Sequence, residues 1–403
     1  DFLFSEIWLT CFVSNFKKYA GRAYQKILCV YRGYHLWFYY GEEDARQVGE
    51  EIVSKFIMRP GFVGRVNNEI IRWSDKLRTF AERISDVGLE TMPNQKLWQI
   101  YMDHRRIHSG YYEWGWLPVA ADMFHSNLTN RLKTELERLG VPRRKVNEVF
   151  VALTQPTKKS LIQIGRDDFL RLAAVIQGDG YHRKLFKNLY NAIESKKHTS
   201  KFEAHLEQQA AGMLGQIKPM VRRLVEKHYS KYFYVNHMWV GKASKLENYL
   251  CELAMFIGTG GNAIKRLRSE RSDLNKAKQL RRNILKWYRV TGRVKELFDG
   301  YGDFMVTKIY RRFAQIYALY KMEFVLKEIA SRLNLSLMQV RFMLPKEVQR
   351  SLILAKILDT VVIKKRTKMC VMIVERNKQS IYLGPKALAL AKQVQQVKCE
   401  QVS

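Results

Sequence analysis

The chain has 403 residues, with 70 Lys and Arg against 38 Asp and Glu, which gives a formal net charge of +32. Hydrophobic residues make up 47% and charged residues 27%, a composition that predicts a folded protein and excludes disordered, fibrous and low-complexity classes. At roughly 150 residues per domain, the length predicts two or three domains. No apolar run reaches about 18 residues, so we expect no membrane-spanning helix.

The N-terminal segment and the cysteines indicate the compartment. Residues 1–16 are apolar and aromatic, but they open with the acids Asp1 and Glu6 and carry no basic region, which argues against a signal peptide. The first residue is Asp, so we expect a processed product or a fragment.

The five cysteines form no CxxC pair, which predicts neither a disulfide framework nor a zinc ribbon. Free buried thiols in a reducing cytoplasm are the expectation.

The hydrophobic pattern predicts a mainly α fold, a multi-helix domain with small β-hairpins near the N- and C-termini. β-prone runs at 26–31 and 34–40 are joined by Arg32 and Gly33, and a second pair lies at 369–374 and 380–384. Capping boxes are expected at Ser200–Glu203 and Ser244–Glu247, and Ser336 is expected to cap a short helix. Helices are predicted between the hairpins at 43–57, 62–84, 95–110, 127–139, 142–153, 166–177 and 262–332.

Four consecutive segments are predicted from these elements. Residues 1–90 would form a small β-hairpin plus helices, and residues 91–260 a helical domain. Residues 261–360 would form long basic helices. Residues 361–403 would form a β-hairpin and a terminal helix leading to a domain that the chain does not contain.

The positive charge is greatest between Lys265 and Arg312, where fifteen Lys and Arg stand against five acids. Such a stretch is typical of a solvated basic surface, of nucleic-acid binding, or of attraction to phosphorylated ligands. These three interpretations stay open at this point. The candidate nucleic-acid-binding residues are Lys265, Arg266, Arg268, Arg281, Arg282 and Lys286.

Few motifs suggest catalytic chemistry, and we name no catalytic residue and no metal site. His104 and His108 are four residues apart on a predicted helix, but the HExxH form and a third ligand are absent, which favours surface or groove histidines. The glycines at 258–261 follow a helix rather than a strand, so they indicate a turn and not a P-loop. Gly178–His182 lacks the Ser or Thr of a phosphohistidine loop.

Two aromatic runs are more distinctive, at Tyr111–Trp116 and at His228–Trp239. Aromatic side chains with polar tips suit either a ligand cleft or packing between domains, and packing is the simpler interpretation.

Four segments carry a resemblance to a known family. They are His228–Phe233 with Gly241 and the following 244–250 segment, Leu153–Ser160 with Asp168–Ala173, Glu328–Ser336 with Arg341–Val348, and Gly115–Pro118. In this order they resemble the central, mostly helical region of phosphoenolpyruvate-utilising enzymes, the group of pyruvate–phosphate dikinase, phosphoenolpyruvate synthase and rifampicin phosphotransferase. The resemblance covers about residues 20 to 390.

The resemblance implies part of a modular phosphotransferase. An ATP-grasp domain would phosphorylate a histidine on a swivelling domain, and both domains would be partners of this chain, on the same or on a partner polypeptide. ATP or phosphoenolpyruvate and Mg²⁺ are implied for the intact protein, but no cofactor for this chain, which alone is expected to be inactive. It would hold the acceptor or act as a scaffold, with candidate ligand-binding residues His104, His108, Trp114, Trp116, His228 and Tyr232.

The strong basicity is not expected of this family. It therefore supports an alternative function, a stand-alone basic helical protein that binds RNA or DNA through the Lys265–Arg312 region.

Overall fold

The computed structural model describes residues 1–195, 202–238, 240–376 and 378–395. These residues are mainly helical and contain one four-stranded antiparallel sheet, which confirms the predicted fold class. Ser200, at the start of one expected capping box, lies outside the described residues. No helix among them is both long enough and apolar enough to span a bilayer.

The chain divides into two compact units. The first joins Asp1–Thr154 to Trp287–Ser403, and the second is Gln155–Lys286. This division differs from the four consecutive segments predicted from the sequence, because the N- and C-terminal hairpins pair into the same sheet and so belong to one unit.

The first unit contains the sheet and the longest helix. Its N-terminal part also includes a π-helical turn at Cys11–Asn15 and a 3₁₀ turn at Arg143–Lys145. The elements of that part are α1 (Phe2–Thr10), α2 (Lys17–Ala20), β1 (Lys26–Arg32), β2 (His35–Tyr40), α3 (Glu42–Met58), α4 (Phe62–Glu82), α5 (Asn94–Gly115), α6 (Leu117–Asp122), α7 (Asn127–Arg138) and α8 (Val146–Thr154).

The second unit is formed by helices packed around one apolar core. Its elements are α9 (Leu161–Gly178), α10 (Gly180–Glu194), α11 (Phe202–Leu214), α12 (Pro219–Tyr232), α13 (Leu246–Gly258) and α14 (Ala263–Trp287). The last residue of α14, Trp287, belongs to the first unit. The first unit then resumes with α15 (Gly292–Arg332), α16 (Leu337–Arg341), α17 (Pro345–Leu352), α18 (Thr360–Lys368), β3 (Met369–Glu375), β4 (Lys378–Tyr382) and α19 (Gly384–Gln395).

The sheet has the strand order β2-β1-β3-β4. Val30 in β1 pairs with Trp37 on one side and with Val371 on the other. The five inner residues of β1 are all buried, as expected for a continuous apolar run covered on both faces. Leu28, Val30 and Val371 pack against Ala387 of α19, and Tyr31 on the opposite face contacts Phe2 of α1 with ring centroids 5.2 Å apart.

Helices α4 and α15 cross closely in the core of the first unit. Gly300 permits this approach, because a Cβ atom built there would lie 1.9 Å from Cγ1 of Val63. The side chain of Asn67 donates from Nδ2 to the carbonyl oxygen of Gly300 at 3.2 Å. A larger residue at 300 would therefore separate the two helices.

Helix boundaries follow local chemistry with two corrections. Ser336 caps α16 through a reciprocal pair of bonds with Gln339, as predicted. The expected capping box at Ser244 is wrong by one residue, because α13 begins at Leu246 and the N–H of Lys245 donates to Asn248 Oδ1 at 3.1 Å. The pattern at 262–332 is two helices rather than one, since the chain breaks at Tyr288–Thr291, where Arg289 has a φ of 51°.

Candidate functional site

The first unit contains a cavity of about 400 Å³ beside the C-terminal end of α5. Helices α4, α6, α7 and α15 supply the rest of its lining. Exposed Met123, Met305 and Lys308 surround its mouth. Its walls are mostly apolar, formed by Ile70, Trp116, Val119, Leu128 and Phe304. A pocket of this size with apolar walls and a few polar groups is typical of a small-molecule site.

Arg311 brings a positive charge to this cavity. Its guanidinium lies over the ring of Tyr111 at 5.3 Å, and its Nη1 atom is buried without a hydrogen-bond partner among the described residues. Gly115 makes room for it, because a Cβ atom there would lie 2.6 Å from both Cδ and Nη1 of Arg311. Lys308 lines the cavity one turn earlier on α15. The two cations suit an anionic ligand.

Asp122 also lines the cavity, but its oxygens are already engaged. The N–H of Thr129 donates to Oδ1 at 2.8 Å, and Oγ1 of Thr129 donates to Oδ2 at 2.7 Å. The hydroxyl of Tyr301 donates to Oδ2 at 3.1 Å. Neutral donors hold this carboxylate, and Asp122 and Arg311 form no ion pair within the described part of the chain.

Trp116, a residue singled out in the sequence, lies at the cavity wall. It stacks on Phe12 with ring centroids 4.7 Å apart, and its Nε1 donates to the hydroxyl of Tyr24 at 3.4 Å. Trp114 does not reach the cavity lining. It is buried against Tyr19, with ring centroids 4.3 Å apart.

His104 and His108 are fully buried, so the expectation of surface or groove histidines is wrong. Other elements cover the side of α5 that carries the two histidines, and the four-residue spacing of the histidines does not show whether that side is covered. The two ring centroids are 5.0 Å apart, and neither nitrogen of His104 has a partner among the described residues. The Nε2 atom of His108 accepts from Nε2 of Gln315 at 3.0 Å, and the same Gln315 nitrogen donates to the hydroxyl of Tyr112 at 2.6 Å.

Burial controls the protonation of this pair. It lowers the pKa of His104 to about 3, with Arg105 adding to the effect. Burial also lowers the pKa of His108 well below its ordinary value, and His104, Arg311 and Arg105 lower it further. Both rings are therefore neutral at pH 7 and do not serve as cationic ligand-binding groups.

His228 and Tyr232 belong to the second unit and so are not part of this cavity. The hydroxyl of Tyr232 donates to Oδ2 of Asp168 at 2.9 Å, and Lys231 Nζ donates to the same oxygen at 2.8 Å. His228 stacks on Tyr249 with ring centroids 5.0 Å apart, and burial lowers the pKa of His228. These contacts join α9, α12 and α13.

The six candidate nucleic-acid-binding residues all lie on α14. Five of them are exposed, namely Lys265, Arg266, Arg268, Arg282 and Lys286. Arg281 is buried, so it is not presented to solvent with the others. The guanidinium of Arg266 lies over the ring of Phe256 of α13, 5.0 Å from its centroid.

Sequence reasoning missed Arg311, Lys308, Asp122 and Tyr301. Arg311 and Lys308 were counted only as part of a basic stretch. Both lie on one face of α15, since they are three residues apart, but Lys265, Arg268 and Arg271 have the same spacing, so the sequence holds no signal that separates the two sets.

Comparisons with protein-family models, with curated proteins and with solved structures find no match. Within the described ranges, no group of three or more His, Cys, Asp or Glu side chains is arranged to hold a metal ion.

Proposed function

We propose that this chain is the acceptor-holding helical part of a phosphotransferase of the phosphoenolpyruvate-utilising kind, and that the acceptor occupies the cavity beside Trp116. The phosphoryl group would come from a phosphohistidine on a separate swivelling domain, charged by an ATP-grasp domain. The chain itself would position the acceptor and supply no catalytic residue.

The observation that carries this proposal is the pair of cations, Arg311 and Lys308, in the lining of an apolar cavity of about 400 Å³. A charge-assisted hydrogen bond from either cation would bind an anionic group of the ligand. Trp116, which lies in the Gly115–Pro118 segment of the family resemblance, is a wall of the same cavity. The resemblance and the cavity therefore favour the same place.

The lining indicates the class of acceptor. The apolar walls favour a hydrophobic or aromatic body, and Arg311 with Lys308 favours one anionic group at its end. The donors Thr129 and Tyr301 hold the carboxylate of Asp122 fixed in the wall of the cavity. Mg²⁺ is implied for the intact protein, and we derive no step through it within this chain.

A cytoplasmic location belongs to the same proposal. Cys11, Cys29, Cys251 and Cys370 are buried free thiols. Burial raises the pKa of Cys370 to about 12 and that of Cys251 to about 11, so both stay protonated and unreactive at neutral pH. This supports a reducing compartment.

The cavity is tested by titrating the whole chain with 1-naphthyl phosphate, using neutral 1-naphthol as the uncharged comparison and calorimetry as the readout. We expect the phosphate to bind more tightly than the naphthol. Arg311→Met keeps the apolar stem and should weaken phosphate binding about tenfold or more, because a charge-assisted hydrogen bond contributes about 1.5–3 kcal/mol.

Arg312→Met is the matched control, since Arg312 is the exposed next residue of α15 and does not line the cavity. Equal phosphate affinity of Arg311→Met and Arg312→Met would overturn the cavity assignment. The phosphotransferase part is tested by sequencing the genomic DNA on both sides of the reading frame. Frames that encode an ATP-grasp domain and a glycine-rich histidine loop, either fused to this one or beside it, support the proposal, and the lack of both on either side overturns it.

A further inference from the structure

Helix α14 carries an exposed face of one charge sign. Lys and Arg side chains recur at spacings that place them on one side of the helix. From the first to the last they extend over about 30 Å, at a rise of about 1.5 Å per residue. All of the following are exposed, and we call them the basic face: Lys265, Arg268, Arg271, Lys276, Arg282 and Lys286.

The two acids of α14 have partners outside the basic face. Glu270 forms an ion pair with Arg166 at 2.7 Å, and Asp273, at the edge of the face, accepts from Ser269 at 3.4 Å. The opposite side of the helix holds the buried residues Ala263, Arg281 and Ile284. The basic face therefore keeps a large excess of positive charge.

The cations of the basic face have no carboxylate partner among the described residues. On other helices of the molecule, some cations do pair with a carboxylate four residues away. Such pairs are Arg46 with Glu50, Arg131 with Glu135, Arg222 with Glu226 and Lys295 with Asp299, at 2.5, 2.9, 2.8 and 2.6 Å. Unpaired like charges along a helix destabilise it, and a bound polyanion removes that repulsion.

The polar residues between the cations indicate what this polyanion is. Ser272, Asn275 and Gln279 line a shallow depression of about 510 Å³ together with Arg268, Arg271 and Lys276. Hydroxyl and amide groups beside Lys and Arg are the usual partners of phosphate and sugar oxygens. The exposed apolar side chains of α14 are Ile264 and Trp287 at its ends and Leu280 on its flank, so the centre of the face offers neither an aromatic stacking platform nor an apolar surface for a bilayer.

We propose that the basic face of α14 binds the phosphate backbone of duplex nucleic acid. Recognition is by charge and by the spacing of the cations along the helix, without base contacts. This function is independent of the cavity in the first unit, and failure of either proposal leaves the other intact.

The test is fluorescence anisotropy of the whole chain with labelled double-stranded RNA, double-stranded DNA, single-stranded RNA and, by co-sedimentation, anionic phosphatidylserine vesicles. We expect duplex binding that weakens steeply between about 50 and about 200 mM salt, with a log–log slope of about −0.9 for each phosphate neutralised. The triple variant Arg268→Gln, Arg271→Gln, Lys276→Gln should reduce the steepness of that slope by about 2–3. The ratio of RNA to DNA affinity then identifies the duplex.

The matched control is Arg183→Gln, Lys184→Gln, Lys187→Gln, which removes the same charge from exposed positions of α10 in the same unit. Circular dichroism at matched temperature checks that both variants stay folded. The proposal is overturned if both triple variants weaken binding equally, if single strands or vesicles bind more tightly than duplexes, or if no duplex binds at about 0.15 M salt.

Discussion

Thr307 donates from Oγ1 to Oδ1 of Asn67 at 2.8 Å, between two buried side chains that are 240 residues apart in the chain. The amide of Asn67 also donates to the carbonyl oxygen of Gly300 at 3.2 Å. Asn67 therefore links α4 to two points of α15 inside an otherwise apolar crossing. Its polar atoms are paired, which makes the crossing specific in register.

Thr307→Val should destabilise the protein by about 1–3 kcal/mol, because it leaves Oδ1 of Asn67 buried without its donor. Urea denaturation measures the change. The double variant Asn67→Leu, Thr307→Val should lose less free energy of unfolding than the two single variants lose together. Thr134→Val at an exposed position of α7 is the control, and a loss of stability for Thr307→Val no larger than for this control would contradict the role of the bond.

Gly300→Ala should destabilise the protein by about 1–3 kcal/mol, since its Cβ would lie 1.9 Å from Cγ1 of Val63 and force α4 away from α15. Thermal and urea unfolding measure this. Gly64→Ala on α4 is the control, because a Cβ there meets nothing within 4 Å, and it should stabilise by up to about 1 kcal/mol. Changes of the same sign in both variants would disprove close helix contact at Gly300.

Acid should destabilise the protein through His104. Burial lowers the pKa of His104 to about 3, below its ordinary value of 6.5. Between these two pH values, the unfolded chain binds a proton at His104 and the folded chain does not. The free energy of unfolding is therefore unaffected by His104 above pH 6.5. Below pH 6.5 it falls by about 1.4 kcal/mol per pH unit until the pH reaches about 3. Urea midpoints from pH 7 to pH 4.5 measure the slope.

His104→Leu removes the titrating ring and should flatten that pH dependence by about the same 1.4 kcal/mol per unit. The comparison is between slopes, so a change in stability at pH 7 does not affect it. Parallel curves for the wild-type chain and the variant would show that His104 is not held neutral by burial.

Gly115→Ala should lower the affinity for 1-naphthyl phosphate while leaving that for 1-naphthol unchanged, because its Cβ would displace Cδ and Nη1 of Arg311, each 2.6 Å away. Stability should change little, since the helix gains from alanine and Arg311 is flexible at its end. Paired calorimetric titrations measure the ratio of the two affinities. An unchanged ratio would contradict the placement of Arg311 at the anionic end of the ligand.

Local features of the fold could be predicted from the sequence. The apolar run 27–31 became the buried strand β1, and Ser336 with Gln339 formed the predicted cap. Such features depend on hydrogen bonds and side-chain periodicity within one or two turns of the chain. The mainly helical class followed from them.

The pairing of β1 with β3 could not be predicted in the same way, because it joins strands from opposite ends of the chain. The four-segment division placed the two hairpins in different parts for that reason. Strand pairing between distant segments depends on which surfaces remain to be covered after both have formed, and the local pattern does not contain this information.

The candidate site shows the same limit. The spacing of His104 and His108 placed them on one face of α5, but whether that face meets solvent depends on Gln315 and the rest of α15. Arg311 and Lys265 are equivalent cations in the sequence, yet one borders a cavity and the other lies on an open helix face. The sequence by itself determined many of the helices, the two hairpins and the excess of positive charge. Only the tertiary structure decided which charges are buried and which are exposed, because burial depends on the segments that pack against each residue.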